Sequence, residues 1–204
     1  MIALVDYRAG NLTSVRKALA TVGAEVCVPS APDDLARADA IIVPGVGHFG
    51  ATRALGPEWV EAILAAIGDG RPLLGICLGM QWLYEGSEEA PELSGLGVLS
   101  GRCVRLSGDV EPQVKVPHVG WNSLTITREA SIVAGVADGA QVYFTHSYVA
   151  PVTPYTVAVT EHGTPFAAIV QRGHVAGVQF HPEKSGEVGL TILRNFLELC
   201  PGQR

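Results

Sequence analysis

The first half of the sequence alternates between short apolar runs and runs whose apolar residues recur every three or four positions. The first kind of run is typical of buried strands, and the second is typical of helices that cover a sheet. Because strands joined by helices usually run parallel, this order predicts a parallel α/β sheet. The predicted strands are 2–5, 25–29, 40–47 and 72–76, and the predicted helices are 12–22, 33–39, 57–70 and one that starts at 78.

The second half of the sequence has a different pattern. From Gly95 to about Gly177 it contains short β-rich runs separated by Gly, Pro, Asp and Asn, which indicate additional strands. Apolar residues at helical spacing predict a final helix over 187–200. The predicted fold is therefore α/β, with an open, mostly parallel central sheet, helices on both faces, and an added β-rich, partly antiparallel section.

The size and composition favour one soluble domain. The 204 residues show no break in composition, so we expect a single domain over residues 1–204. The net charge is −6, and no run of Lys and Arg forms a basic patch, which argues against nucleic acid or an anionic membrane as a partner. No apolar run approaches the ~20 residues of a membrane span, and the N-terminus has no signal-peptide pattern. These features predict a cytoplasmic protein.

The cysteines predict neither a disulfide framework nor a metal site, because no C-x-x-C and no paired Cys/His spacing is present. Cys27, Cys103 and Cys200 lie in apolar periodic runs, where a buried, inert thiol is the favoured interpretation. Cys77 differs, because in GICLG a glycine stands two positions away on each side.

The G-x-C-x-G sequence at Cys77 is typical of a nucleophile held on a sharp turn between a strand and a helix. Small neighbours are needed there because the backbone is strained. Free N–H groups at the helix N-terminus favour an anionic sulfur, and the N–H of Leu78 is placed to hold a developing oxyanion. Taken alone, the motif fits an ordinary tight turn equally well.

A second motif, His181-Pro182-Glu183, favours the nucleophile. A residue before proline tends to be extended, and in extended chain positions i and i+2 face the same side. Glu183 can therefore accept a hydrogen bond from one ring nitrogen of His181, which fixes the tautomer and lets the other nitrogen act as a base toward a thiol. The sequence thus predicts a catalytic triad of Cys77, His181 and Glu183.

Two further features indicate where a substrate would lie. The glycine loop Pro44–Gly47 follows a predicted strand, so it should lie at the same sheet edge as Cys77 and could furnish a second oxyanion donor. It lacks the pattern of a phosphate-binding loop. Gln81 falls on the same helix face as Cys77 and could hydrogen-bond a substrate beside the thiol.

Together these motifs resemble those of the class I (triad) glutamine amidotransferases. More narrowly, the chain resembles the glutaminase subunits of imidazole glycerol phosphate synthases, with a match that extends over about residues 2–200. The segments that carry the narrower resemblance are DYRAGN (6–11), PGVGHF (44–49), KVPHVGWN (115–122) and YFTHSY (143–148). Arg8, where a glycine is usual, and His48, where a small residue is usual, depart from the family pattern.

The resemblance implies hydrolysis of glutamine to glutamate and ammonia through a glutamyl thioester on Cys77, with His181 as the base and Glu183 as its orienting partner. It implies no metal or organic cofactor. The residues that it assigns to the substrate are Gly45, Val46, Gly47, Leu78, Gln81, Ser147 and Tyr148.

The resemblance also implies a partner, the cyclase subunit of imidazole glycerol phosphate synthase, a (β/α)₈ barrel with which the chain would form a heterodimer. Ammonia would pass to this subunit for synthesis of imidazole glycerol phosphate and aminoimidazole carboxamide ribotide in histidine biosynthesis. The residues assigned to the partner interface are Asn11, Trp121, Tyr143 and Lys184.

The remaining histidines receive structural interpretations. His118 and His146 are expected to support the fold or the site rather than to react, and His162 and His174 are expected to be solvated turn residues. Two other functions remain open: the glutaminase of another synthase, such as that of pyridoxal phosphate synthesis, and a stand-alone cysteine hydrolase or peptidase on a similar fold.

Overall fold

A computed structural model describes residues 1–108 and 113–200 of the protein. Residues 109–112 and 201–204, which the single-domain prediction includes, lie outside the described residues. No helix in the described ranges is long and apolar enough to cross a membrane. Within the same ranges, no group of three or more His, Cys, Asp and Glu side chains could hold a metal ion.

An eight-stranded sheet forms the centre of the fold. Its strands are β1 (Ile2–Leu4), β2 (Val26–Cys27), β3 (Ala40–Gly45), β4 (Leu73–Cys77), β8 (Thr125–Ile126), β11 (Thr156–His162), β12 (Thr164–Arg172) and β13 (Val175–Val178). The strand order is β2-β1-β3-β4-β13-β12-β11-β8. The pairs from β2 to β13 are parallel, and the pairs from β13 to β8 are antiparallel.

Two smaller sheets lie beside the central one. The first joins β10 (Tyr148–Val149), β6 (Arg102–Arg105) and β5 (Gly86–Ser87), and the second is an antiparallel ribbon of β7 (His118–Ser123) and β9 (Gln141–His146). The helices are α1 (Leu12–Thr21), α2 (Pro57–Gly68), α3 (Leu78–Trp82) and α4 (Gly186–Leu197), with 3₁₀ helices at Pro32–Arg37, Phe49–Ala54, Ser131–Val133 and Pro182–Lys184.

The helices cover both faces of the central sheet. Helices α1 and α4 pack in one apolar cluster with Ile42, Leu74 and Ile76. Helices α2 and α3 pack in a second cluster with Ile41 and Leu73. Residues that are neighbours along β3 and β4 thus serve opposite faces, as the two-residue period of a strand requires. The predicted fold class is confirmed.

Several predicted elements differ in extent from those of the structure. The segment 33–39 forms the 3₁₀ helix Pro32–Arg37, and the helix that follows Cys77 ends at Trp82 after five residues. Such a short helix has a small dipole, so the sulfur at its start depends more on nearby N–H groups than on a macrodipole. His162 ends strand β11, where it is half-buried, so its interpretation as a solvated turn residue was wrong.

The two departures from the family pattern have local structural explanations. Arg8 has a φ of 62°, a left-handed conformation that glycine adopts without strain, so a glycine would suit this position. His48 precedes the 3₁₀ helix at Phe49 and accepts a hydrogen bond from the Gly50 N–H at its Nδ1, at 2.9 Å. His48 thus acts as a helix cap that a small apolar residue could not provide.

The glycines around Cys77 allow backbones to approach closely. A Cβ on Gly79 would overlap the Val43 carbonyl oxygen of β3, and a Cβ on Gly75 would lie 2.6 Å from the Gly79 carbonyl oxygen. Helix α3 can therefore follow β4 without a gap only if both positions lack side chains. The paired residues Gly45 and Cys77 then end β3 and β4 at the same edge of the sheet.

Substitution of Gly79 tests this close approach. We expect Gly79→Ala to lower the free energy of unfolding by about 2–3 kcal/mol, because a rigid backbone carbonyl must move to admit the methyl group. The matched control is Gly68→Ala at the end of α2, where an added Cβ meets open space; its effect should stay below about 1 kcal/mol. Equilibrium urea unfolding followed by circular dichroism measures both, and equal midpoints for the two variants would contradict the packing argument.

Candidate active site

Cys77 occupies a strained turn at the carboxyl edge of the central sheet. Its φ and ψ are 54° and −108°, a conformation that costs a residue with a side chain on the order of 1–3 kcal/mol. The side chain borders a pocket of about 300 Å³. The predicted sharp turn is therefore present, and its strain directs a thiol toward a cavity large enough for a small molecule.

His181 and Glu183 form a buried pair. The Nδ1 of His181 and the Oε1 of Glu183 are 2.8 Å apart, and both side chains are only 2% exposed. Because a carboxylate only accepts, Nδ1 carries the proton. The Nε2 of His181 has no hydrogen-bond partner among the described residues. It is therefore free to receive or give a proton.

Electrostatics favour a protonated His181. Burial by itself lowers the pKa of an imidazole, but the neighbouring Cys77 sulfur, as a thiolate, and the Glu183 carboxylate outweigh burial and raise the pKa of His181 to about 9. His181 therefore binds a proton more tightly than a histidine in water does. This is what an imidazole needs if it is to accept a proton from a thiol.

A chain of amides leads away from the sulfur. Gln179 donates from Nε2 to the Cys77 sulfur at 3.6 Å, and Gln81 donates from Nε2 to Gln179 Oε1 at 3.1 Å. Gln81 also donates to the Tyr148 carbonyl oxygen at 2.9 Å. Both glutamines are nearly or fully buried. The amide end of Gln81 is thus fixed at the pocket wall.

The pocket brings together five of the seven predicted substrate residues. These are Gly47, Leu78, Gln81, Ser147 and Tyr148. Gly45 and Val46 do not line it. Gly45 packs against Tyr7 and Leu78 so closely that a Cβ would overlap the Tyr7 hydroxyl.

The glycine loop has a specific arrangement at Val46. Its N–H donates to the Ala9 carbonyl oxygen at 2.6 Å, in the segment that precedes α1. An amide held in this way cannot at the same time donate to an oxyanion beside Cys77. The sequence predicts two oxyanion donors, the Leu78 N–H and an N–H of the glycine loop. In this arrangement the loop would have to rearrange before it could donate, whereas Leu78 would not.

Three of the four predicted partner residues lie together. Trp121 and Tyr143 are directly opposite each other on β7 and β9, with ring centroids 6.1 Å apart, and Lys184 Nζ lies 5.6 Å from the centre of the Tyr143 ring. Trp121 is 56% exposed. Asn11 instead caps α1, where its Oδ1 accepts from the Ser14 N–H.

The predicted partner cluster, which consists of Trp121, Tyr143 and Lys184, is joined to the His181 backbone through Tyr143. The His181 N–H donates to the Tyr143 carbonyl oxygen at 2.9 Å, and the Ser185 hydroxyl donates to the His181 carbonyl oxygen at 2.6 Å. The strand that carries Tyr143 therefore helps to fix the position of the imidazole.

Sequence reasoning missed several residues of the site. Glu89 lines the pocket and accepts a hydrogen bond from the Phe49 N–H at 2.6 Å, yet nothing distinguishes it from its acidic neighbours in SEEAPE. Pro117 and Thr145 also line the pocket. Gln179 could have been found, because it stands two positions before His181 in a run whose sequence is typical of a strand, and residues two positions apart in a strand face the same side.

Comparisons with known proteins agree on one family. The family model described as glutamine amidotransferase class-I matches residues 3–200. The chain is 44% identical to the imidazole glycerol phosphate synthase subunit HisH of Methanothermobacter thermautotrophicus, with 98% of each chain covered. It is 48% identical to the protein of the same name from Natronomonas pharaonis, with 98% of this chain and 94% of the relative covered.

Solved structures agree on the fold. A crystal structure of a glutamine amidotransferase superimposes with a TM-score of 0.76 at 22% identity, and 98% of each chain is covered. At this identity the superposition establishes the architecture only.

Replacement of Glu183 tests the electrostatics of the buried pair. We expect Glu183→Gln to lower the pKa of His181 from about 9, because the carboxylate favours the charged imidazole. The raised pKa contributes stability that is fully present below the unfolded value of 6.5 and is lost as the pH rises through about 9. The stability gap between wild type and variant should therefore narrow over that range.

The pKa of His181 can be followed by NMR titration, and the stability gap by urea unfolding at several pH values. Glu187→Gln, which removes an exposed carboxylate from α4, is the matched control. If the pKa of His181 is unchanged in Glu183→Gln, the Glu183 carboxylate is not a cause of the raised pKa.

Proposed function

Because the chain belongs to the class-I glutamine amidotransferase family, and within it to the imidazole glycerol phosphate synthase subunits HisH, we propose that it hydrolyses L-glutamine to glutamate and ammonia. The observation that carries this proposal is a strained Cys77 at a small pocket beside the buried His181–Glu183 pair. We also propose that residues 1–204 form a single glutamine amidotransferase type 1 domain, which the family match over residues 3–200 supports.

The reaction begins with proton transfer. His181 Nε2 takes the proton of the Cys77 thiol, and the sulfur attacks the side-chain amide carbon of glutamine. The carbonyl oxygen becomes an oxyanion, which the Leu78 N–H stabilises. His181 then gives its proton to the departing nitrogen, so that ammonia leaves and a glutamyl thioester remains on Cys77.

Water completes the cycle. His181, now neutral, accepts a proton from water as the oxygen attacks the thioester carbon, and the C–S bond breaks to release glutamate. The sulfur leaves as the thiolate and recovers the proton from His181. Throughout, Glu183 keeps the Nδ1 proton in place and stabilises the transient imidazolium.

Both ends of glutamine have matching groups at the pocket. Gln81, Gly47, Ser147 and Tyr148 line the pocket and would contact the substrate. Because Gln81 Nε2 already donates to Tyr148 and Gln179, the Oε1 of Gln81 is the group that would accept a hydrogen bond from glutamine. The Glu89 carboxylate provides a negative charge for the α-ammonium group, a role that the sequence did not reveal. Polar groups fixed at the wall of a small pocket provide specificity for a polar substrate.

The Val46 loop provides a switch. Rotation of the Gly45–Val46 peptide would break the bond from Val46 N–H to the Ala9 carbonyl oxygen and direct the N–H toward the oxyanion. The adjacent glycines make such a rotation inexpensive, since Gly47 already has a φ of 89°. The subunit would then hydrolyse little glutamine until the loop rearranges.

The partner is the cyclase subunit of imidazole glycerol phosphate synthase, a (β/α)₈ barrel, with which the chain forms a heterodimer in the cytoplasm. The surface of Trp121, Tyr143 and Lys184 is suited to this contact, because exposed aromatic and cationic side chains anchor interfaces. Asn11 belongs to the same interface. The backbone bond from His181 to Tyr143 keeps the site of ammonia release close to it.

The ammonia serves the partner's reaction. It passes through the interface to the cyclase, which uses it to make imidazole glycerol phosphate and aminoimidazole carboxamide ribotide in histidine biosynthesis.

Labelling with a chloroketone analogue of glutamine tests the nucleophile. We expect it to modify Cys77 alone, because the pocket positions the electrophile at this sulfur. Cys27 is a useful control, since it is less buried than the other cysteines and would react first if exposure alone decided. Mass spectrometry should find one adduct on wild type and on Cys27→Ser, and none on Cys77→Ser. An adduct on Cys27 or Cys103 instead would refute the assignment.

Glutaminase turnover tests the switch and the partner together. We expect the subunit alone to be slow, the complex with the cyclase to be faster, and the complex with the cyclase's nucleotide ligand to be fastest, by about tenfold or more over the subunit alone. Similar rates under all three conditions would contradict the proposed rearrangement of Val46. Failure to form a complex with the cyclase would contradict the partner.

A further inference from the structure

Two buried histidines form part of the inner face of the β7–β9 ribbon. His118 and His146 are directly opposite each other in the antiparallel register and are 3% and 7% exposed. The outer face carries Trp121 and Tyr143 of the partner cluster. Neither histidine takes part in the reaction proposed above, although His146 borders the pocket.

The hydrogen bonds of this pair determine which ring nitrogens donate and which accept. His146 Nδ1 lies 3.1 Å from the Tyr148 carbonyl oxygen, which only accepts, so Nδ1 carries the proton and Nε2 is an acceptor. His118 Nδ1 lies 3.1 Å from that Nε2 and must therefore be the donor. His118 Nε2 then accepts from Asn122 Nδ2 at 3.3 Å.

The hydrogen bonds of Asn122, at the other end of this series, are consistent with the same donors and acceptors. Asn122 Nδ2 also donates to the Glu161 carbonyl oxygen at 2.9 Å, and Asn122 Oδ1 accepts from the Ser123 N–H at 2.8 Å. Every ring nitrogen of the two histidines thus has a partner when both rings are neutral. Burial agrees, because it lowers the pKa of His118 to about 4 and that of His146 to about 3, with the neighbouring histidines acting in the same direction.

The chain of hydrogen bonds continues to the nucleophile. The Tyr148 carbonyl oxygen that accepts from His146 also accepts from Gln81 Nε2 at 2.9 Å. Gln81 then donates to Gln179, and Gln179 donates to the Cys77 sulfur. An unbroken series of polar contacts therefore connects Asn122, next to Trp121, with the thiol.

We propose that His118 and His146 are positioning residues that hold the Tyr148 carbonyl, and through it Gln81, in the geometry that glutamine needs beside Cys77. This inference rests on the proposed glutaminase activity and adds two residues to it. The rings are held in turn by stacking, because His118 lies on Phe144 with centroids 4.8 Å apart and on His162 with centroids 4.0 Å apart. Rigid rings in a fixed tautomer can define the position of a carbonyl more narrowly than a flexible loop could.

The test compares three variants of the full chain. His118→Leu removes the donor to His146, whereas His118→Asn keeps an N–H near the position of Nδ1. The matched control is His174→Leu, which removes a histidine that donates to the Ile67 carbonyl oxygen at 2.9 Å. His174 lies at the amino ends of β4 and β13, away from Cys77. Each variant is treated with the glutamine chloroketone, whose rate depends on the pocket, and with iodoacetamide, which reports only the thiol.

The readout is the ratio of the two rates at Cys77. We expect His118→Leu to lower this ratio by roughly fivefold, the factor that loss of one neutral hydrogen bond gives. His118→Asn should recover most of it, and His174→Leu should match wild type. The KM for glutamine of the complex with the cyclase should rise by a similar factor while kcat changes less.

Two results would overturn the proposal. One is a wild-type ratio in His118→Leu. The other, independent of whether that variant folds, is an NMR spectrum of ¹⁵N-histidine-labelled wild type in which His118 or His146 carries its proton on Nε2, or is charged at pH 6. If wild-type protein shows neither chloroketone labelling nor glutaminase activity with its partner, the proposed function itself fails, and the tautomers remain a separate measurement.

Discussion

The contact between α3 and β3 is the constraint on which the rest of the site depends. Gly79 rests against the Val43 carbonyl oxygen and Gly75 against the backbone of Gly79, so that the chain can turn sharply at Cys77. The turn places the thiol at the carboxyl edge of the sheet, next to the end of β3. The glycine loop that follows β3 is consequently fixed beside Cys77 by the same contact. Strain at one residue is acceptable because the packing of two strands and a helix over-determines it.

The site combines two kinds of polar environment. On one side, the side chains of His181 and Glu183 form a buried pair, and the high pKa of the imidazole depends on the Cys77 thiolate and the Glu183 carboxylate together. On the other side, amides and neutral imidazoles run from Gln179 to Asn122 without a formal charge. In the proposed reaction, proton transfer takes place on the first side, and the groups on the second side orient the substrate. The β7–β9 ribbon contributes to both, since Tyr143 binds the backbone of His181.

The parallel half of the fold could be predicted because each of its signals is local. Fifteen consecutive residues, Pro72–Gly86, are enough to predict the strand, the turn and the helix around Cys77. The antiparallel half depends on pairings between distant segments, such as β7 with β9. An apolar run in the sequence does not indicate which other strand it will pair with. The bond from Val46 to Ala9 likewise joins two loops and leaves no trace in the sequence. His162 looked like a turn residue because a glycine follows it, yet stacking on His118 decided its environment.

The central sheet ends on strands of only two residues, β2 on one side and β8 on the other. So short an edge exposes few unpaired N–H and C=O groups, and it offers little template for a strand from another molecule. A chain that is 48% hydrophobic would otherwise be at risk of aggregation through its own sheet. The fold therefore leaves self-association through its main sheet unfavourable, whereas the exposed ring of Trp121 lies outside that sheet, on the β7–β9 ribbon.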